Sequence, residues 1–271
     1  MDQYIKTNYH CHTIFCDGQN TPEEMIVEAI NKQIKVLGFS AHVMYPYESS
    51  WHLKVKDYNK YVKTIRELQK KYQNQIKILC GVEADYVPNK AYPTKEVYKE
   101  YDLDYMIGSV HYVCFEDNAQ FTVDGSVEEL QKAIDYYNGN CKLLIQTYFD
   151  WQRQMAKACD CQIIGHPDLI RKRNVILHFF DENDQWYKNE LKATAEAFAL
   201  SGKIVEINTG AMARGAMKDV YPSEEFLTFL QKKDVPIMIN SDAHSCKDLD
   251  FAFDFALSKA KKVGFTKLSV L

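Results

Sequence analysis

Short apolar runs alternate with longer amphipathic segments along nearly the whole of this 271-residue chain, seven or eight times over. The strand candidates are Tyr4–Tyr9, Lys35–Ser40, Ile76–Cys80, Tyr105–Val110, Gln162–Ile164, Ile204–Ile207 and Pro236–Ile239, with Leu268–Leu271 as an eighth. Helical spacing fills the gaps. Thr21-Pro22-Glu23-Glu24 reads as an N-cap, a first-position proline and a capping-box glutamate. Met25, Ile26, Ala29, Ile30 and Ile34 then keep one face apolar. Tyr58, Tyr61, Val62, Ile65 and Leu68 do the same for a second helix, and further helical patterns cover Val127–Tyr137, Leu143–Ala158, Trp186–Leu200, Glu224–Lys232 and Phe251–Val263. Strands that alternate with helices form parallel sheets, and this many units favour a closed barrel over an open sheet. A β/α barrel needs about 250 residues, so residues 1–271 are expected to form one α/β domain. Neither G-x-G-x-x-G nor G-x-x-x-x-G-K-[ST] occurs, which leaves no Rossmann or P-loop nucleotide site.

Composition narrows the class further. Lys+Arg number 33 and Asp+Glu 37, a formal charge of −4, which argues against a binder of the nucleic-acid backbone. No apolar run approaches the roughly 18 residues of a membrane span. The opening Met1-Asp2-Gln3-Tyr4-Ile5-Lys6 lacks the basic-then-apolar order of a signal peptide. A cytoplasmic protein with neither a membrane nor a nucleic-acid partner is expected. The eight cysteines then read as reduced thiols, and Cys159-Asp160-Cys161 has no second pair at zinc-finger spacing.

Six of the eight histidines end or closely follow a predicted strand: His10, His12, His42, His111, His166 and His244. Three carboxylates, Asp17, Glu83 and Asp242, hold equivalent positions. In a β/α barrel the C-terminal strand ends share one face, the usual active-site face. Nine metal-capable side chains would therefore converge on one mouth. In His10-Cys11-His12 and Asp242-Ala243-His244, positions i and i+2 of an extended segment point the same way and can reach one ion. Neutral imidazoles and carboxylates suit zinc, manganese or iron. Nine ligands suit two or three ions with a bridging carboxylate.

Taken in order, these motifs resemble the PHP (polymerase and histidinol phosphatase) metal-dependent phosphoesterases. The resemblance spans nearly the whole chain: H-x-H with Asp17-Gly18, then Ser40-Ala41-His42, Gly81-Val82-Glu83, Gly108-Ser109-Val110-His111, Gly165-His166-Pro167-Asp168 and Asp242-Ala243-His244. It implies a distorted TIM-like (β/α)7 barrel with three metals, so that Leu268–Leu271 lies outside the sheet. By the same resemblance His10, His12, Glu83 and Asp242 hold one ion, and Glu83 bridges to a second held by His111 and His166. Asp17, His42 and His244 hold the third. Many members have His where this chain has Asp17, and the aspartate resembles the histidinol-phosphatase branch; Cys16 replaces the commoner Ser.

The implied activity is hydrolysis of a phosphate monoester, L-histidinol phosphate, in histidine biosynthesis, by attack of a hydroxide held between ions. A phosphatase or phosphodiesterase acting on another small phosphoester or nucleotide is the alternative. An inactive metal-binding barrel is a third reading, but such a barrel should have lost ligands and none is missing here. Arg214 and Arg171 are the candidate phosphate clamps, with Arg173 beside them. His52 and the aromatics Tyr45, Tyr47 and Trp51 are candidates to line the substrate pocket. Asp17 or His244 is the candidate to deliver the leaving-group proton. His178 is expected to pack or lie exposed.

Overall fold

Parallel pairing follows from the apolar runs, which are buried on both faces and need helices to cover them. The computed structural model describes residues 5–271. Nine strands form: β1 (Thr7–Asn8), β2 (Val36–Val43), β3 (Lys77–Asp85), β4 (Tyr105–Ser109), β5 (Tyr112–Glu116), β6 (Ala119–Thr122), β7 (Ile163–Ile164), β8 (Ile204–Asn208) and β9 (Ile237–Asn240). Seven of them make one parallel sheet in the order β1-β2-β3-β4-β7-β8-β9. Its edges meet through a parallel bridge between Cys11 and Ala243. There the N–H of His12 donates to Ala243 O at 2.8 Å and the N–H of Ala243 to His10 O at 3.3 Å. The sheet is therefore a nearly closed, distorted barrel, as expected from the resemblance.

The lumen is filled by Tyr9, Tyr105, Ile107, Ile163 and Met238. Tyr105 lies across it, its hydroxyl 2.5 Å from Tyr9 O and 3.0 Å from Phe39 O. A Cβ at Gly38 or Gly81 would come within 2.4 Å of this side chain, so both positions need glycine. Outside the sheet, the helix Pro22–Asn31 carries the expected capping box. The N–H of Glu24 donates to Thr21 Oγ1 and the N–H of Thr21 to Glu24 Oε2. The helices Val127–Tyr136, Cys141–Ala158, Gln185–Ser201, Glu224–Lys232 and Phe253–Lys262 lie within two residues of the sequence expectation. Among the described residues no helix is long and apolar enough to cross a membrane.

Leu268–Leu271, the eighth strand candidate, joins no ladder, as the resemblance implied. It crosses the bottom of the barrel, with Ser269 N–H on Ile237 O at 2.7 Å and Leu271 N–H on the Tyr9 hydroxyl at 3.0 Å. Tyr4 lies outside the described residues, and the first strand is only two residues long. The antiparallel hairpin β5–β6 and the helix Arg171–Leu177 were unforeseen. The hairpin turns at Asp117-Asn118, a two-residue turn signal overlooked between two short runs.

Candidate metal centre

Eight of the nine candidate ligands sit at or just past a C-terminal strand end, and Asp17 lies further along the loop after β1. His10 and His12 follow β1, His42 ends β2, Glu83 lies on β3, His111 follows β4, His166 follows β7, and Asp242 and His244 follow β9. The β2–β3 register places His42 opposite Glu83. Glu83 is buried at the centre, and its two oxygens face different groups. Oε2 lies 2.9 Å from His10 Nε2, 2.9 Å from His42 Nδ1 and 3.5 Å from His12 Nε2. Oε1 lies 2.8 Å from His166 Nε2 and 3.6 Å from His111 Nε2, and it accepts from Ser109 Oγ at 2.6 Å. Asp242 Oδ1 stands 3.2 Å from His12 Nε2, and Asp17 Oδ2 stands 3.2 Å from His244 Nε2.

All nine ligand candidates are thus brought together. Four sets of their atoms lie within 4.8 Å of one another: His12, Asp17, His42 and His244; His10, His12 and Glu83; His10, His166 and Asp242; and His42, Glu83 and His111. The partition differs from the implied one in three ways. His12 also reaches the Asp17 group, His42 also reaches Glu83 and His111, and His166 groups with His10 and Asp242.

These residues fit divalent ions on two grounds. With ligand bonds of about 2.0–2.2 Å, two atoms on one ion stand about 3 Å apart, the spacing seen around Glu83 and Asp242. Two buried ring nitrogens, His12 Nε2 and His166 Nδ1, have no hydrogen-bond partner. The 3.2 Å contact of His12 Nε2 with Asp242 is an approach without hydrogen-bond direction, which leaves that lone pair available.

Charge points the same way. Burial alone would lower the pKa of His10, but Glu206, Glu83 and Asp242 raise it well above the ordinary value. Burial likewise opposes protonation of His111, and Asp85 with Glu83 overcomes it, pushing this residue up to about 10. Burial would raise Glu83, yet His10, His42 and His111 hold it well below the usual carboxylate range. Without metal, protons on imidazoles compensate the buried carboxylates. His12 is the exception, lowered to about 3 by burial and by its neighbours His42 and His244, so it stays neutral.

A second layer of residues orients the first, and the sequence reading missed it. Both oxygens of Glu206, on β8, meet His10 Nδ1, at 3.0 and 2.9 Å. Asn208, Asn240 and the N–H of His166 donate to the same carboxylate. Asp85 Oδ1, on β3, lies 2.5 Å from His111 Nδ1. A carboxylate behind a histidine fixes which ring nitrogen faces the ion. The signal was present as Glu83-x-Asp85 and Glu206-x-Asn208, the same i, i+2 pattern at strand ends.

The cluster floors a pocket of about 570 Å³. Arg214 lines it, with Nη2 on Asp242 Oδ2 at 2.9 Å and Nη1 on Asp242 O at 2.9 Å. Asp17, His42, Trp51, Tyr112 and Lys172 line it too. Arg171 does not. It is buried and bound to Glu182 at 2.7 Å, Asp219 at 3.3 Å and Val220 O at 3.2 Å. Arg173 binds the carbonyls of Gly125 and Asp124. These residues open a helix on which successive side chains diverge by about 100°, and Lys172 is the one turned to the pocket, 2.9 Å from Asp124. His52 is also corrected: it is buried behind Trp51 and away from the pocket wall. Tyr45 and Tyr47 stay outside the pocket, and His178 is exposed elsewhere.

The family model for the PHP domain matches residues 8–210. "Probable histidinol-phosphatase" of Schizosaccharomyces pombe is 29% identical over 285 residues, covering 98% of this chain and 89% of that protein. Histidinol-phosphatase of Bacillus subtilis is 23% identical over 273 residues, covering 94% and 99%. A crystal structure of histidinol phosphate phosphatase from Lactococcus lactis, complexed with zinc, L-histidinol and phosphate, has the same fold. Its TM-score is 0.72 at 21% identity, over 98% of this chain and 97% of that one.

Proposed function

The chain belongs to the PHP domain family, and from that premise we propose that it hydrolyses L-histidinol phosphate to L-histidinol and phosphate, a step of histidine biosynthesis, using two or three divalent ions. The observation that carries the reading is buried Glu83, whose Oε2 faces His10 and His42 at 2.9 Å while its Oε1 faces His166 at 2.8 Å and His111 at 3.6 Å, beside a pocket wall that carries Arg214. Full-length similarity to histidinol-phosphatases supports the substrate, and the bound zinc, histidinol and phosphate of the Lactococcus lactis protein support both ligand classes.

His10, His12, Asp17, His42, Glu83, His111, His166, Asp242 and His244 would hold the ions. Zinc or a similar divalent ion supplies Lewis acidity and a nucleophile from water near neutral pH. Beyond its bonds to Asp242 and its 3.1 Å contact with His244 Nδ1, Arg214 keeps donors free, enough to grip a phosphoryl oxygen, and Lys172, paired with Asp124, is a second cation on the wall. Trp51 and Tyr112 line the pocket with aromatic surface for an imidazole, and Glu129 adds a negative charge there for an ammonium group. Asp17 or His244, which lie 3.2 Å apart at the pocket, would help deliver a proton to the leaving alkoxide, directly or through a bound water. All eight cysteines are free thiols, in keeping with a reducing cytoplasm.

The test is phosphate release from L-histidinol phosphate, an aryl phosphate, nucleotides and a phosphodiester, by protein of measured metal content. The expected result is a kcat/KM for histidinol phosphate well above the rest. A flat, weak profile from fully loaded protein rejects the substrate.

A further inference from the structure

His52 touches neither the pocket nor a candidate ligand through a hydrogen bond, yet both of its ring nitrogens are engaged. The backbone N–H of Ser49 donates to Nδ1 at 3.1 Å, and the Ser49 hydroxyl lies 2.7 Å from the same atom. An amide N–H cannot accept, so Nδ1 carries the lone pair and the neutral ring bears its proton on Nε2. Nε2 then donates to Asp85 Oδ2 at 2.8 Å. The other oxygen of Asp85 takes Nδ1–H of His111 at 2.5 Å, which turns His111 Nε2 toward Glu83, 3.6 Å away.

One carboxylate thus orients two histidines on different segments. Asp85 can do so because it lies two residues beyond Glu83 on β3 and shares its direction. The flat face of His52 also supports Trp51, with ring centroids 3.7 Å apart at 30°. Trp51 in turn stands edge-on to His42 at 4.8 Å and to His111 at 5.4 Å, and it lines the pocket. The chain of contacts runs from the pocket wall through His52 and Asp85 to a candidate metal ligand.

We infer that His52 is a positioning residue that couples the orientation of His111 toward its ion to the placement of Trp51 against the substrate. The substrate half rests on the proposed function. The metal half does not.

The test compares zinc-loaded wild type, His52→Leu and His52→Gln. Leucine fills the space and removes the donor to Asp85, whereas the glutamine amide can restore it. His52→Leu should lose one zinc per chain at a chelator concentration about tenfold lower than wild type, the lower end for residues behind a metal ligand. His52→Gln should recover most of that retention. With zinc in excess, His52→Leu should raise KM for histidinol phosphate more than for an aryl phosphate that has no imidazole to meet Trp51. Wild-type zinc retention in His52→Leu overturns the inference. Equal loss in both variants overturns it as well, because packing and not the hydrogen bond would then be responsible. Should His52→Leu fail to fold by circular dichroism, Asp85→Asn takes its place, and wild-type retention there overturns the inference. If wild-type protein releases phosphate from the aryl ester but not from histidinol phosphate, the substrate assignment fails, while the zinc comparison still decides the role of His52.

Discussion

Glu206 meets His10 Nδ1 with both carboxylate oxygens, at 3.0 and 2.9 Å, from a strand 196 residues further along the chain. The pairing leaves His10 Nε2 aimed at Glu83 Oε2, 2.9 Å away. Glu206 also accepts from Asn208, Asn240 and the N–H of His166, so it anchors two candidate ligands at once.

Replacing Glu206 by Gln should therefore weaken metal binding without touching any ligand. Loss of about 10–100-fold in zinc affinity is expected for such a partner. Competition with a chromophoric chelator measures it, and an unchanged affinity would remove Glu206 from the metal centre.

Glu83→Ala should act more broadly. Both of its oxygens are in use, so this variant should lose ions from two sets and abolish activity, while circular dichroism still reports a folded barrel. His10→Ala should do the same for its own sets. Full activity in either variant sinks the cluster.

The cations Arg214 and Arg171 should separate cleanly. Arg214→Ala should raise KM for phosphoesters and weaken inhibition by inorganic phosphate. Arg171→Met leaves Asp168, Glu182 and Asp219 without their shared cation. Breaking a buried pair costs about 3–5 kcal/mol, so denaturant unfolding should show a large loss of stability with KM little changed.

Metal loading should be pH-dependent. His111 is raised from its ordinary 6.5 to about 10 in the metal-free fold, because Asp85 and Glu83 outweigh burial. At pH 7 it carries a proton that an ion must expel, so loading releases protons and zinc affinity rises with pH. The linked stability has the opposite trend in metal-free protein. Because the folded value lies above the unfolded one, its contribution is complete below pH 6.5 and is lost as the pH climbs through about 10. Calorimetry in buffers of different ionisation enthalpy counts the protons, and none released at pH 7 refutes the assignment.

The ligands were legible because their geometry is local. H-x-H and D-x-H at the end of an extended run point two side chains one way whatever the rest of the chain does, and alternation of strand and helix places all such ends on one face. Glu206 and Asp85 were harder to see, since a strand carboxylate behind a histidine is recognisable only when the partner strand is known. Among Arg171, Lys172 and Arg173, the one facing the pocket depends on the phase of a helix whose existence was not foreseen.

The sequence by itself determined the barrel and the nine side chains at its mouth, because strand alternation and the i, i+2 rule follow from backbone geometry alone. Only the tertiary structure decided which oxygen of Glu83 faces which histidine, which cation reaches the pocket, and that His52 lies behind Trp51. Most of these relations join residues far apart in the chain, as His10 and Glu206 are, and so they exist only once the strands that carry them are assembled into one sheet.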